Sequence, residues 1–266
     1  MIYLKGVYVI ILIAIVTSLI LLSLVFKMNT EERSNEIVVT IKPISSLVSY
    51  IYESDIESII PPGKNPHEWQ PTPSVYTLLK NAKIVFATHP LLEPWAKTEK
   101  TIYLAENESD PHAWLSFTVS LQMVDKISEK LSELYPDKKS LISSRAEELK
   151  KIIQQIKEKC NQLEGKTIVE LFPTLKLFAA DCGMDEIHLI DKPGEEPNPS
   201  TLKERTQEAK NIGIDIFFAP SFMPKEKLES IEKVTGLKYI SFDPLCSKGY
   251  IQTMNETVEL MSSWLS

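Results

Sequence analysis

The stretch from Asp137 to Leu163 limits the possible folds more than any other part of the chain. Its apolar residues Ile142, Ala146, Leu149, Ile153, Ile156, Cys160 and Leu163 recur at alternating spacings of four and three. That period matches the α-helical turn, so the spacing predicts one amphipathic helix with lysine and glutamate on its other faces. About 27 residues rising 1.5 Å each make a rod of roughly 40 Å. Gly165 ends the pattern, and Tyr135–Pro136 separates it from another helical pattern over Ser116–Leu134.

On both sides of this rod, short apolar runs alternate with helical patterns. Before it, strands are expected at Ile37–Ile41, Ile56–Ile60, Ile84–Thr88 and Thr101–Leu104, with helical stretches at Ser74–Asn81 and Leu91–Ala96. After it, strands are expected at Thr167–Leu171, Glu186–Ile190, Ile214–Ala219 and Tyr239–Phe242. Helices are expected near Thr174–Cys182, Ser200–Asn211, Lys225–Thr235 and Tyr250–Leu265. Such alternation predicts an α/β fold with mostly parallel sheets flanked by helices. Two βα series around one long helix suggest two lobes, 37–135 and 165–266, with residues 136–164 as a strut between them.

The N-terminus sets the compartment. Gly6–Phe26 carries no charge and is flanked by Lys5 and Lys27. Its 21 residues span about 31 Å as a helix, enough to cross a hydrocarbon core. A cleaved signal peptide has a shorter apolar region followed by small residues, whereas Leu24, Val25 and Phe26 end this one. Residues 1–27 therefore read as an uncleaved transmembrane anchor, and 28–36 as a polar tether to a domain outside the cytoplasm.

The net charge of −7, from 36 acidic and 29 basic residues, argues against nucleic acid, whose phosphates require a basic face. The three cysteines, Cys160, Cys182 and Cys246, contain no CxxC pair, which excludes the common cysteine zinc and redox motifs. Cys160 falls on the apolar stripe and reads as core packing, while a Cys182–Cys246 disulfide is open to an extracytoplasmic domain. Common phosphate-loop, hydrolase and zinc-peptidase signatures are absent.

Four histidines remain: His67, His89, His112 and His188. His67 and His112 both lie in loops leaving predicted strands at their C-terminal ends, the edge where open α/β sheets bind ligands. Asp243 leaves a strand of the second series in the same way. Two imidazoles from one lobe and a carboxylate from the other can close on a metal ion. Trp69, Trp95 and Trp114 read as core or interface aromatics, and Glu195–Glu196 beside prolines as a solvated acidic turn.

Several segments in order carry a resemblance. They are Asn65–Ser74 (NPHEWQPTPS), Leu92–Trp95 (LEPW), Asp110–Ser116 (DPHAWLS), Pro193–Ser200 (PGEEPNPS) and Phe242–Leu245 (FDPL), followed by Tyr250, Met254 and Asn255. From Ile37 to Ser266 the chain resembles the metal-specific solute-binding proteins of ABC importers, the zinc- and manganese-binding group whose lobes are joined by a single long helix. The resemblance implies a binding protein rather than an enzyme, a monomer, with Zn²⁺ or Mn²⁺ as transported ligand and an ABC permease as membrane partner.

It also implies His67, His112 and Asp243 as ligands. The family's remaining ligand, a histidine or glutamate, falls on Phe172, which cannot ligate. Glu170 on the same strand face, a water, or His89 or His188 are the open replacements. Phe172 also leaves open a same-fold module that has lost or changed its metal, including an adhesion module. A metal-dependent hydrolase remains a third reading, with no general base evident except Glu170.

Overall fold

In the computed structural model, residues 15–21, 36–192 and 198–265 are described. The chain first forms β1 (Ile37–Val39), every residue of which is buried. A parallel strand covered on both faces reads as a continuous apolar run, and β1 pairs in parallel with β2 (Ile84–Ala87), which pairs in parallel with β3 (Thr101–Tyr103). The crossover from β1 begins with α1 (Lys42–Tyr52). This helix went unrecognised in the sequence, although Pro43 sits at its start and Ile44, Leu47, Val48 and Ile51 form a one-sided stripe, all fully buried.

Two expected elements are absent. Ile56–Ile60 is not a strand; its only ladder pairing is a single bridge between Ser58 and Val39. Ser49 of α1 accepts from the Ile56 amide at 3.0 Å, and Pro61 and Pro62 remove the donors that would extend a ladder. Leu91–Ala96 shrinks to one 3₁₀ turn, Pro94–Ala96. There the buried Glu93 carboxylate accepts from the amides of Thr88 and His89 at 2.8 and 3.0 Å and from the Thr40 hydroxyl, drawing the loop inward. Burial is the main cause that pushes the Glu93 carboxyl up to about 7, partly offset by these hydrogen bonds.

After α2 (Pro73–Asn81) come two long helices, α3 (Phe117–Leu134), capped by Ser116, and α4 (Lys139–Cys160). The predicted stripe of α4 is buried throughout, and the ends of the predicted span become 3₁₀ turns at Pro136–Lys138 and Asn161–Leu163. The second sheet has the order β5-β4-β6-β7 and is wholly parallel, built from β4 (Thr167–Glu170), β5 (Asp185–His188), β6 (Ile216–Pro220) and β7 (Lys238–Phe242). Its helices are α5 (Lys176–Asp181), α6 (Pro199–Asn211), α7 (Lys225–Thr235) and α8 (Tyr250–Trp264). The last of these packs on both α1 and α4, and the Tyr250 amide donates to Ser46 Oγ at 2.8 Å. The largest core cluster accordingly runs from the first sheet through the long helices into the second.

Cysteine usage differs from expectation. Cys160, at the end of α4, is joined to Cys182, just past α5, across 5.3 Å between Cα atoms, while Cys246 is the buried free thiol. The bond forms because the helix ends converge, a proximity that separation in sequence does not reveal. Closing a loop over a separation of 22 residues stabilises the native state by about 3 kcal/mol. Reduction, or the Cys160→Ala/Cys182→Ala double substitution, is therefore expected to lower Tm by roughly 5–10 °C. Calorimetry showing no drop on reduction would contradict a structural bond.

Among the described residues no helix is long and apolar enough to cross a membrane. Of the expected anchor only 15–21 is described, a helical stretch with exposed apolar side chains; the remainder lies outside the described residues, as does Glu195–Glu196.

Candidate metal centre

The structure brings two of the expected ligands together. His67 lies in the loop before α2 and His112 in the turn before α3, and their Nε2 atoms stand 3.1 Å apart. Asp110 orients the second ring: its Oδ1 accepts from both the amide and Nδ1 of His112 at 2.9 Å. A carboxylate only accepts, so Nδ1 carries the proton and His112 Nε2 presents its lone pair to the partner ring. With metal–nitrogen bonds of about 2.05 Å, nitrogens 3.1 Å apart subtend roughly 100° at an ion, between octahedral and tetrahedral values.

The surroundings favour the uncharged form of His67. Loss of hydration first, and then His112, bring the His67 imidazole down from 6.5 to about 4, with Asp110 opposing. A base whose folded pKa is depressed penalises the fold as pH falls from 6.5 toward 4 and not above that range. Near neutrality His67 is ready to ligate without first releasing a proton.

A cleft of about 60 Å³ adjoins the pair, bordered by residues from both halves, among them Trp114, Phe172, Phe222, Met223 and Lys227. Trp114 is nearly inaccessible, meets the His112 ring edge-on at 5.7 Å between centroids, and donates from Nε1 to Pro244 O at 2.7 Å, tying this edge to the loop after β7. Phe172 is 5% exposed and forms part of the cleft wall where the resemblance implied a ligand. Trp69 and Trp95 pack on each other with centroids 4.9 Å apart.

The remaining expected ligands are not gathered here. The Asp243 carboxylate accepts from the Leu245 amide at 3.0 Å and from the Ser247 amide and hydroxyl at 2.7 and 2.6 Å, and it borders a different hollow beside Lys248 and Glu256. Its neighbours Pro244 and Leu245 reach the histidine cleft. Glu170 is 1% exposed; its Oε2 accepts from the Thr174 and Leu175 amides at 3.0 Å, and Oε1 has no hydrogen-bond partner. Burial, aided by Glu186 and Asp110, raises its pKa well above the ordinary range.

His89 packs in its loop, with Nδ1 accepting from the Leu91 amide and Nε2 donating to Glu108 O, both at 3.0 Å. His188 sits 3.6 Å from Asp191 on the second sheet. Among the described residues no group of three His, Cys, Asp or Glu side chains is placed to hold an ion. Two contributors escaped the sequence reading. Asp110 is two residues before His112, a spacing that a search for an orienting carboxylate would have found; Met223 follows β6 at the ligand-binding edge of the sheet.

Residues 37–263 match the family described as zinc-uptake complex component A, periplasmic. A Thermotoga maritima protein named as metal-binding is 30% identical over 246 residues, covering 86% of this chain and 91% of its own length. The manganese ABC transporter substrate-binding lipoprotein PsaA of Streptococcus mitis is 24% identical over 69% of this chain and 70% of its own. The crystal structure of ZnuA superposes with a TM-score of 0.76 at 21% identity, covering 86% of this chain and 98% of that one, a likeness of fold. By the family match over most of its length, this chain belongs to the zinc-uptake component A family of metal-binding proteins.

Proposed function

We propose that this chain is the extracytoplasmic solute-binding component of an ABC importer, capturing a transition-metal ion of the zinc or manganese kind between two lobes and presenting it to a membrane permease. The family is one of binding components rather than enzymes. The observation that carries the reading is the His67–His112 pair, 3.1 Å apart, pre-oriented by Asp110 and bordered by both halves of the chain. In this reading residues 37–135 and 165–266 are the lobes, 136–164 is the strut that limits their swing, and the apolar segment 6–26 anchors a monomer to the membrane. The Cys160–Cys182 bond fits an oxidising, extracytoplasmic compartment.

Asp243 would join the pair by exchanging its hydrogen bonds to Leu245 and Ser247 for the ion. Phe172 and the absence, among the described residues, of a third gathered acidic or imidazole ligand favour one second reading, a same-fold module that has lost or changed its metal.

The test uses full-length protein in detergent, stripped with chelator and titrated with zinc or manganese while Tm is followed. Ligand at about 100 Kd stabilises a selective binder by about 2.7 kcal/mol, roughly 5–10 °C here. No shift with either ion, and no ion retained on dialysis, would leave the second reading in place.

A further inference from the structure

We propose that Met223 supplies the third ligand of the histidine cleft and turns its preference toward soft ions, monovalent copper above zinc and zinc above manganese. The inference rests on reading the cleft as a metal site. Met223 lies just past the C-terminal end of β6, where its amide donates to Pro220 O at 3.0 Å in a turn. It borders the same small cleft as His67 and His112 but comes from the second sheet. A ligand set drawn from both halves is what an ion held between them requires.

The second-half carboxylates are turned toward their own loops, although Glu170 Oε1 has no hydrogen-bond partner. Asp243 is satisfied by Leu245 and Ser247, and Glu170 by the Thr174 and Leu175 amides on one oxygen. Glu68 borders the cleft, yet among the described residues no carboxylate joins the two imidazoles closely enough to share an ion. The wall facing the pair is instead aromatic, with Phe172 and Phe222. A thioether loses little hydration when it enters such surroundings, whereas a carboxylate loses much.

Two imidazoles and one thioether form a soft, uncharged set suited to copper(I), tolerable to zinc and poor for manganese, which prefers oxygen.

Full-length wild type and Met223→Leu are compared, using silver(I) as a redox-inert stand-in for copper(I), zinc, and manganese as probes. Both proteins carry Cys246→Ser so that the buried free thiol contributes nothing. Wild type is expected to bind silver at least about tenfold tighter than zinc, and Met223→Leu to lose about tenfold or more for silver while zinc changes less than about threefold. X-ray absorption of the silver-loaded protein carrying Met223 supplies a readout independent of the leucine variant's folding, with a sulfur neighbour expected around silver. Unchanged silver affinity in Met223→Leu, zinc binding tighter than silver, or only nitrogen and oxygen around silver would each overturn the assignment. Protein that binds zinc but gains nothing from silver refutes the Met223 role alone. Protein that binds none of the three ions refutes the metal reading beneath it.

Discussion

Replacing His67 with alanine is expected to abolish the metal-dependent rise in Tm while leaving the metal-free protein almost as stable as before. His67 lies on an exposed loop, where its amide donates to Asn65 Oδ1 and its ring meets the His112 ring. Surface positions of this kind move stability by about 0.5 kcal/mol or less. The metal increment behaves otherwise, because a single imidazole cannot hold an ion against water and the loss of one of two converging nitrogens removes the chelate.

At a concentration where wild type gains about 2.7 kcal/mol, the variant should gain close to none. His89→Ala is the informative contrast. That ring is 3% exposed and bonded on both nitrogens, so its loss should lower the stability of the metal-free protein and preserve the metal increment. A His67→Ala protein that still shows the full shift would move the site elsewhere.

Much of the fold was legible because periodicity reports burial directly. The stripe from Ile142 to Cys160 is buried as its spacing requires, and seven of the eight expected strand runs became strands in parallel sheets. The errors fell where side chains compete with backbone pairing. Serines of α1 hold Ile56 and prolines stop that segment from forming a ladder, while Glu93 gathers amides that a helix at Leu91–Ala96 would have used. The helix Lys42–Tyr52 was missed between two apolar runs despite its proline start.

At the site, motif and position identified His67 and His112, although the His67 loop follows the Ile56–Ile60 segment that is not a strand, so only His112 leaves a strand as expected. Which donors turn toward them was not legible. Amides in their own loops donate to Asp243 and Glu170, so local hydrogen bonding claimed both oxygens of Asp243 and one of Glu170. Cys160 and Cys182 likewise meet through the ends of two helices, a tertiary event with no local signature.

Phe172→His is expected to separate the cost of folding from the gain in binding. Phe172 belongs to a core cluster with Val169, Leu171 and Ile187 and is 5% exposed. An imidazole there is smaller and more polar than the phenyl ring, so the metal-free protein should lose about 1–3 kcal/mol. In the loaded protein a third nitrogen enters the cleft already bordered by Phe172, and zinc, which takes nitrogen donors in tetrahedral array, should bind on the order of a hundredfold tighter, about 2.7 kcal/mol.

The two effects oppose each other, so Tm should fall without zinc and return toward or above the wild-type value at saturating zinc. Silver should gain less than zinc, since the added donor is harder than a thioether. The substitution thus measures how far Phe172, rather than the hydrogen bonds that hold Asp243 in its own loop, weakens the site. A variant that loses stability yet binds zinc no better than wild type would mean that residue 172 faces the core too firmly to reach the ion, and that the ligand set must be completed from the β6 and β7 loops.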